Sequence, residues 1–247
     1  MTAQPNDDPR VSQHAGATPP PVQGYSMLAD DYDQSRYVGE INALKESFRR
    51  RALTELLPSR AGRALDVACG TGRGVLILRD VASAVFGVDG TREMLQIANR
   101  KLQATKPGGC VCQANAALLP FVSGTFELVS CLNFLHLFSD VEKKTTFLRE
   151  IARVLKPGGV AVIEFDNALQ GLFVGAIRKY LGRDIGYDWP WVIRSCFPSE
   201  LFTITTTHGS NLPAVWRIAA LRRMEAAAGR FPLNYLGNRI FIRAERK

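Results

Sequence analysis

The chain has 247 residues, 46% of them hydrophobic, which is enough for one α/β domain with a full core. The net charge is +8, no apolar run reaches the roughly 18 to 20 residues that cross a bilayer, and no signal-peptide segment is visible. A membrane span is therefore not expected and a cytoplasmic location is. The five cysteines are an odd number without zinc-site spacing, which favours reduced thiols and no metal.

The N-terminal part divides into a tail and a helical region. Residues 1–24 are rich in Pro, Gln and Asp and have no periodicity, so we expect a disordered tail ahead of a domain spanning 25–247. Within 25–57, apolar residues recur at helical spacing up to Pro58. The start of this segment holds three tyrosines, Tyr25, Tyr32 and Tyr37. They form either a lid over a ligand or simple packing at the helix entry.

A glycine-rich turn follows the first apolar run. Residues 64–67, which include Asp66, lead into glycines at positions 70, 72 and 74. This pattern is typical of a buried parallel strand that passes into a helix, and glycine lets the backbone approach a ligand closely. A second apolar run ends in Asp89, at the distance where an acid hydrogen-bonds a ribose diol. The two runs together predict a nucleotide-type binding site.

Strands and helices then alternate along the chain. Strands are predicted near 63–67, 84–88, 109–113, 126–132 and 159–165, and helices near 73–80, 91–104 and 141–155. Thr91 is placed to cap the second of these helices. A strand, a helix and a closing strand are predicted near 201–207, 214–228 and 238–244. The alternation favours an α/β fold around a parallel sheet with right-handed crossovers.

Two segments depart from this rhythm. Segment 167–200 is interpreted as a substrate-side insert in which Trp189 and Trp191 either wall an apolar pocket or anchor the loop as buried side chains. Residues 211–247 carry eight basic and two acidic residues, a net charge of +6. They form either a solvated helix face with a charged tail or a surface for an anionic partner. No pattern supports nucleic acid specifically, so nucleic acid is not an expected partner.

Four runs in order resemble a known family. They are the glycine turn at 66–74 and the runs at 88–95, 113–121 and 148–159. Over about residues 38–166 the chain resembles class I S-adenosylmethionine-dependent methyltransferases of the small-molecule, methyltransferase type 11-like group. The resemblance implies a Rossmann-like, doubly wound, seven-stranded, mostly parallel sheet with an antiparallel last strand. It also implies S-adenosyl-L-methionine as cofactor and a small-molecule acceptor.

The resemblance assigns cofactor-binding roles to matching positions. The methionine end would be held around Asp66, Ala68, Cys69 and Gly70. The ribose hydroxyls would bind at Asp89 and Gly90. The adenine would contact Met94, Asn115 and Ala116. The amino-acid end and the methyl group would be lined by Leu132 and Asn133.

Three positions depart from the family pattern, and none removes the predicted site. Ala68 stands where glycine is common, Asn115 stands where many members have aspartate, and Glu127 replaces a common aspartate after the third run. NAD is the competing cofactor, but it is usually bound by G-x-G-x-x-G, whereas these glycines run G-x-G-x-G. Asp66 would also repel a pyrophosphate, while an acid is favourable beside a sulfonium amino acid.

Methyl transfer from a sulfonium depends mainly on alignment and on excluding water, so the fold by itself does not predict a general base. His136, just after the fourth strand, is the candidate catalytic residue, with a structural histidine as the alternative. Asp166 ends the fifth strand and either binds substrate or caps. The residues expected to bind substrate are Tyr25, Tyr32, His136, Asp166, Trp189 and Trp191.

The leading hypothesis is methyl transfer to an O or N atom of a small molecule, such as a secondary metabolite, by a monomer or homodimer. One alternative is an RNA or protein methyltransferase that uses the basic C-terminal segment. The other is a non-catalytic protein that binds S-adenosylmethionine. Specificity in such folds lies in grafted loops, so the sequence does not identify the acceptor.

Overall fold

The strands and helices alternate as the sequence predicts. The computed structural model describes residues 32–33, 40–105, 109–168, 188–210 and 237–247. The helices are α1 (Glu40–Leu56), α2 (Arg73–Leu78), α3 (Arg92–Gln103), α4 (Val141–Val154) and α5 (Pro190–Ser195). The strands are β1 (Ala61–Val67), β2 (Ala82–Asp89), β3 (Gly109–Gln113), β4 (Phe126–Cys131), β5 (Leu155–Asp166), β6 (Phe202–Ser210) and β7 (Arg239–Arg246). The tail at 1–24, Tyr25, Tyr37 and the helix predicted near 214–228 lie outside the described residues.

The seven strands form one sheet in the order β3-β2-β1-β4-β5-β7-β6. Strand β1 pairs in parallel with β2 and β4, and parallel pairing continues to β3 on one side and to β5 on the other. Strand β7 lies between β5 and β6 and is antiparallel to both. The predicted doubly wound, mostly parallel sheet with an antiparallel last strand is therefore confirmed.

Both faces of the sheet are buried, because successive side chains of a strand point to opposite faces. In β5, Ile163 and Phe165 belong to a hydrophobic cluster that includes residues of α4 and α5. Val162, the residue before Ile163, belongs to a second cluster with residues of α1, α2 and α3. Burial on both faces explains why these strands are nearly continuous apolar runs in the sequence.

Arg153, near the end of α4, holds the loop that joins β3 to β4. Its guanidinium donates to the carbonyl oxygens of Leu119 at 3.0 Å and Phe121 at 2.7 Å. The carboxylate of Glu150 accepts the Leu119 N–H at 2.9 Å and pairs with Arg153. Two polar residues of the 148–159 run, Glu150 and Arg153, therefore hold the loop that leads from the carboxyl end of β3 to the start of β4.

Some local expectations differ from the structure. The 3-10 turn Leu135–Leu137 and helix α5 were not predicted. Thr91 occupies the N-cap position of α3, but its side chain makes no capping hydrogen bond, so the predicted capping role is wrong. All five cysteines are free thiols. Among the described residues, no helix is long and apolar enough to cross a membrane.

Candidate active site

The ligand crevice is expected where the strand order reverses, between the carboxyl ends of β1 and β4. Each of these strands is followed closely by a residue other than glycine with a left-handed backbone, Ala68 at φ 56° and Asn133 at φ 58°. Such backbone conformations are costly for residues with a Cβ and cluster at functional sites. Backbone strain at the ends of both β1 and β4, where the strand order reverses, marks this crevice as the candidate site.

The glycine turn after β1 is shaped by close packing beneath it and by open space above it. A Cβ on Gly74 would lie 2.2 Å from Oδ2 of Asp66, so only glycine fits there. Gly70, at φ 51°, has nothing within 4 Å of the point where a Cβ would stand. The turn therefore leaves room directly over its backbone, next to the end of β2.

Asp66 is buried under this turn. Its Oδ1 accepts a hydrogen bond from Ser130 Oγ at 2.6 Å. Burial raises the pKa of Asp66 to about 7, although the hydrogen bond from Ser130 and the charge of Arg49 act in the opposite direction. The negative charge at the base of the crevice therefore depends on pH near neutrality.

Asp89, at the carboxyl end of β2, is held in a fixed orientation by two backbone groups. Oδ2 accepts the N–H of Gly70 and Oδ1 accepts the N–H of Thr91, both at 2.8 Å. Burial raises the pKa of Asp89, and these hydrogen bonds lower it. The carboxylate lies beside the open space over Gly70, where its oxygens can accept the hydroxyl protons of a diol.

The positions predicted to meet the adenine lie along the same edge of the sheet. Met94 is buried in α3. Asn115 is exposed, and its side-chain oxygen accepts the N–H of Ala117 at 2.9 Å. Ala116, between them, is half-buried. Asn115 thus has an internal partner, and its oxygen retains one lone pair for a ligand.

Tyr32 and Asp33 join the two sides of the crevice. One oxygen of Asp33 accepts Thr71 Oγ1 at 2.9 Å, and the other pairs with the ammonium of Lys101. Lys101 also donates to the carbonyl oxygen of Thr71 at 3.1 Å. The hydroxyl of Tyr32 lies 3.5 Å from Nδ2 of Asn133. Tyr32 and Asp33 thus connect the glycine turn to the end of β4.

Arg239 brings together residues from three strands at the carboxyl end of the sheet. Its Nη1 lies 2.9 Å from Oδ1 of Asn133, 3.0 Å from Oε1 of Glu164 and 2.7 Å from Oδ1 of Asp166. Both carboxylates are nearly inaccessible, and Arg49 pairs with Glu164 at 3.1 Å. Asn133 and Asp166, predicted separately, therefore belong to one cluster. Sequence reasoning missed Arg239, which stood only as one of many basic residues.

Four other predicted site residues, one for the cofactor and three for the substrate, lie around the same end of the sheet. Leu132 and His136, which follow β4, are both buried, and His136 lies in the 3-10 turn. Trp189 and Trp191 are exposed and stack on each other with ring centroids 5.0 Å apart. The alternative in which both anchor the loop as buried side chains is therefore wrong.

The arginines of β7 bond within the fold. Besides Arg239, Arg243 donates to the carbonyl oxygen of Leu56 at 2.9 Å, and Arg246 donates to that of Leu155. The remaining arginines of the basic C-terminal segment, at positions 217, 222, 223 and 230, lie outside the described residues. Among the described residues, no group of three or more His, Cys, Asp or Glu could hold a metal ion.

Comparisons with known proteins agree with this site. Residues 65–163 match a family described as a methyltransferase domain. The chain is 38% identical to a demethylmenaquinone methyltransferase of Thermus thermophilus, over 85% of this chain and 92% of that protein. It is 37% identical to a ubiquinone/menaquinone biosynthesis C-methyltransferase of Desulfotalea psychrophila, over 56% of this chain and 54% of that protein. A solved SAM-dependent methyltransferase of Thermotoga maritima superposes with a TM-score of 0.68 at 16% identity, covering 92% of this chain and 99% of that chain.

Proposed function

The chain belongs to the S-adenosylmethionine-dependent methyltransferases, and we propose that it methylates a ring carbon of a quinol-type small molecule. The observation that carries the proposal is the match to a demethylmenaquinone methyltransferase over 92% of that protein's length. The sequence alone suggested an oxygen or nitrogen acceptor, and the C-methyltransferase named among the relatives moves the proposal to carbon.

The residues of the crevice fit the cofactor. We assign the ribose hydroxyls to the carboxylate oxygens of Asp89, beside the open space over Gly70. The backbone of Cys69 and Gly70 and the charge of Asp66 would hold the methionine end, with Leu132 and Asn133 beside the methyl group. When bound, S-adenosylmethionine supplies a methyl group already activated by the positive charge on sulfur.

A carbon acceptor changes what the protein must do. Methylation of a ring carbon replaces a hydrogen, so a proton must leave, and removing a proton from a quinol hydroxyl makes the ring carbon a better nucleophile. This requirement favours His136 as the general base, since an imidazole accepts protons near neutral pH. His136 is buried just after β4, on the ligand edge of the sheet, where water is excluded.

The cofactor assignment is tested by calorimetric titration with S-adenosylmethionine and, separately, with NAD. We expect selective binding of S-adenosylmethionine that weakens at least about a hundredfold in Asp89→Ala, because two hydrogen bonds to a charged group are lost. Asp80→Ala, which removes an exposed acid near the other end of β2, is the matched control. Equal affinity in wild type and Asp89→Ala would refute the assigned role.

The acceptor is tested with a quinol that lacks a long tail and dissolves in water. Mass spectrometry should find one added methyl group, and NMR should place it on a ring carbon. His136→Gln should lower kcat by about a hundredfold or more while the affinity for S-adenosylmethionine is retained. Methylation on oxygen, or full activity of His136→Gln, would contradict the proposal.

The alternative of an RNA or protein acceptor depends on the basic C-terminal segment. Its three arginines in β7 bond within the fold, so they do not form a free binding surface. RNA binding with a steep dependence on salt would restore this alternative.

A further inference from the structure

Two tryptophans are exposed at the ligand edge of the sheet. Trp189 is 37% exposed and Trp191 is 65% exposed. Their ring centroids lie 5.0 Å apart with an angle of 5° between the planes, so the rings stack on each other and expose their outer faces and edges to solvent. Large exposed aromatic surface of this kind marks an interaction site, because indole is otherwise favoured in a buried or interfacial position.

The base of this aromatic pair is fixed to the sheet. The N–H of Asp188 donates to the carbonyl oxygen of Asp166 at 3.1 Å, and the N–H of Ala168 donates to that of Asp188 at 2.9 Å. The carboxylate of Asp188 also pairs with the buried ammonium of Lys144. The tryptophans therefore stand on a structured support directly beside the carboxyl end of β5, at the rim of the candidate active site.

Helix α5 adds a positive charge to the same surface. Trp191 and Arg194 are three residues apart, so they lie on one face of the helix, and both are exposed. Ile193, on the other face, is fully buried in the core. A face that combines indole with a cation suits the interface of an anionic bilayer, where indole lies at headgroup level and the cation meets lipid phosphate.

We propose that Trp189, Trp191 and Arg194 dock the protein on the surface of an anionic lipid bilayer, with the mouth of the active site facing the lipid. This inference rests on the proposed function, because a quinol that carries a polyprenyl tail resides in the bilayer. A protein that docks on the bilayer reaches such a substrate from the membrane surface. The exposed Arg194 of α5 supplies the charge complementarity to acidic headgroups.

The test is co-sedimentation of the full chain with vesicles of phosphatidylcholine, with and without phosphatidylglycerol. We expect wild type to bind the vesicles that contain phosphatidylglycerol. The affinity of the Trp189→Ser/Trp191→Ser variant for these vesicles should fall at least about tenfold, because apolar contact with the interface is lost. Arg194→Gln should weaken binding only to anionic vesicles. Val122→Ser is the matched control, because Val122 is 79% exposed but lies near the amino end of β4.

A fluorescence measurement places the pair directly. The chain has three tryptophans, and Trp216→Phe leaves only the stacked pair as reporters. Quenching of this variant by brominated lipids would support insertion at the interface. Vesicle binding that is equal in wild type and in the double serine variant would overturn the proposal. The proposal would also be overturned if the tryptophan pair formed a contact between two copies of the chain. In that case wild type would be a dimer in solution and the double serine variant a monomer.

The two proposals fail separately. Activity of wild type on the water-soluble quinol tests the methylation chemistry without any membrane. Vesicle binding is measured without substrate or cofactor. An inactive enzyme that still binds anionic vesicles through the tryptophans would therefore refute the acceptor and leave the docking surface supported.

Discussion

The buried ion pair between Lys144 and Asp188 offers the sharpest test of how the segment that carries Trp189 is anchored. Lys144 has no exposed surface, and Asp188 is 6% exposed. Burial raises the pKa of Asp188, while Lys144 lowers it. Removing one partner of a buried pair leaves the other charge without compensation, which costs about 3 to 5 kcal/mol. We therefore expect Lys144→Met to lower the free energy of unfolding by this amount at pH 7.

For a chain of this size, such a loss lowers Tm by about 10 °C, measured by calorimetry. Lys143→Met is the control, because Lys143 is the exposed neighbour and should change stability by less than about 0.5 kcal/mol. The double variant Lys144→Met/Asp188→Leu should recover to within about 1 kcal/mol of wild type, because an apolar pair often replaces a buried ion pair without loss.

The pH dependence gives a second readout for the same variant. Without Lys144, the pKa of Asp188 should rise further above its unfolded value, so the ionised carboxylate destabilises the fold at neutral pH. The deficit of Lys144→Met should therefore shrink as pH falls towards the raised pKa and Asp188 takes up a proton. A loss of less than about 1 kcal/mol in the unfolding free energy of Lys144→Met at pH 7 would refute this reasoning. It would also be refuted if the loss in the double variant equalled the sum of the losses in Lys144→Met and Asp188→Leu.

Three further predictions concern the crevice. Ala68→Gly should raise the free energy of unfolding by about 1 kcal/mol in urea denaturation, because it relieves a left-handed backbone; an unchanged midpoint would contradict this. Asp33→Asn and Lys101→Met should each speed dissociation of S-adenosylmethionine about fivefold in stopped-flow measurements, without adding in the double variant, because they open the same ion pair. Asp66 has a folded pKa of about 7, above its unfolded value, so its contribution to stability should fall as pH rises from about 4 to 7. Asp66→Asn should flatten that slope, and an unchanged slope would rule out the assignment.

The sequence was informative where the residue type at one position determines the local backbone structure. The glycines after β1 predict a tight turn because glycine adopts backbone conformations that other residues avoid, as Gly70 and Gly72 do here. The apolar runs predict strands because both faces of a parallel sheet are buried. Asp89 pointed to the cofactor because it follows the glycine turn at a characteristic distance along the chain, which is a short-range pattern. The family resemblance depends on the same kind of pattern.

The clusters at the site were decided only by the tertiary structure. Arg239 meets Asp166 because β7 pairs with β5 in a particular antiparallel register, and no local pattern fixes that register. Asp33 meets Lys101, 68 residues away, because the fold brings these partly exposed charges together at the glycine turn. Lys144 meets Asp188, 44 residues away, because charges buried in a fold must pair.

Exposure was likewise beyond the sequence. Two tryptophans in a loop that contains proline and glycine are compatible with burial or with a docking surface, and the printed sequence favours neither. Their exposure follows from where Ile193 and Asp188 attach the segment to the core. The sequence by itself determined the order of the elements and the cofactor turn, because these depend on short-range pattern. The tertiary structure decided which distant charges share the active site and which aromatic side chains face solvent, because these depend on packing between elements far apart in the chain.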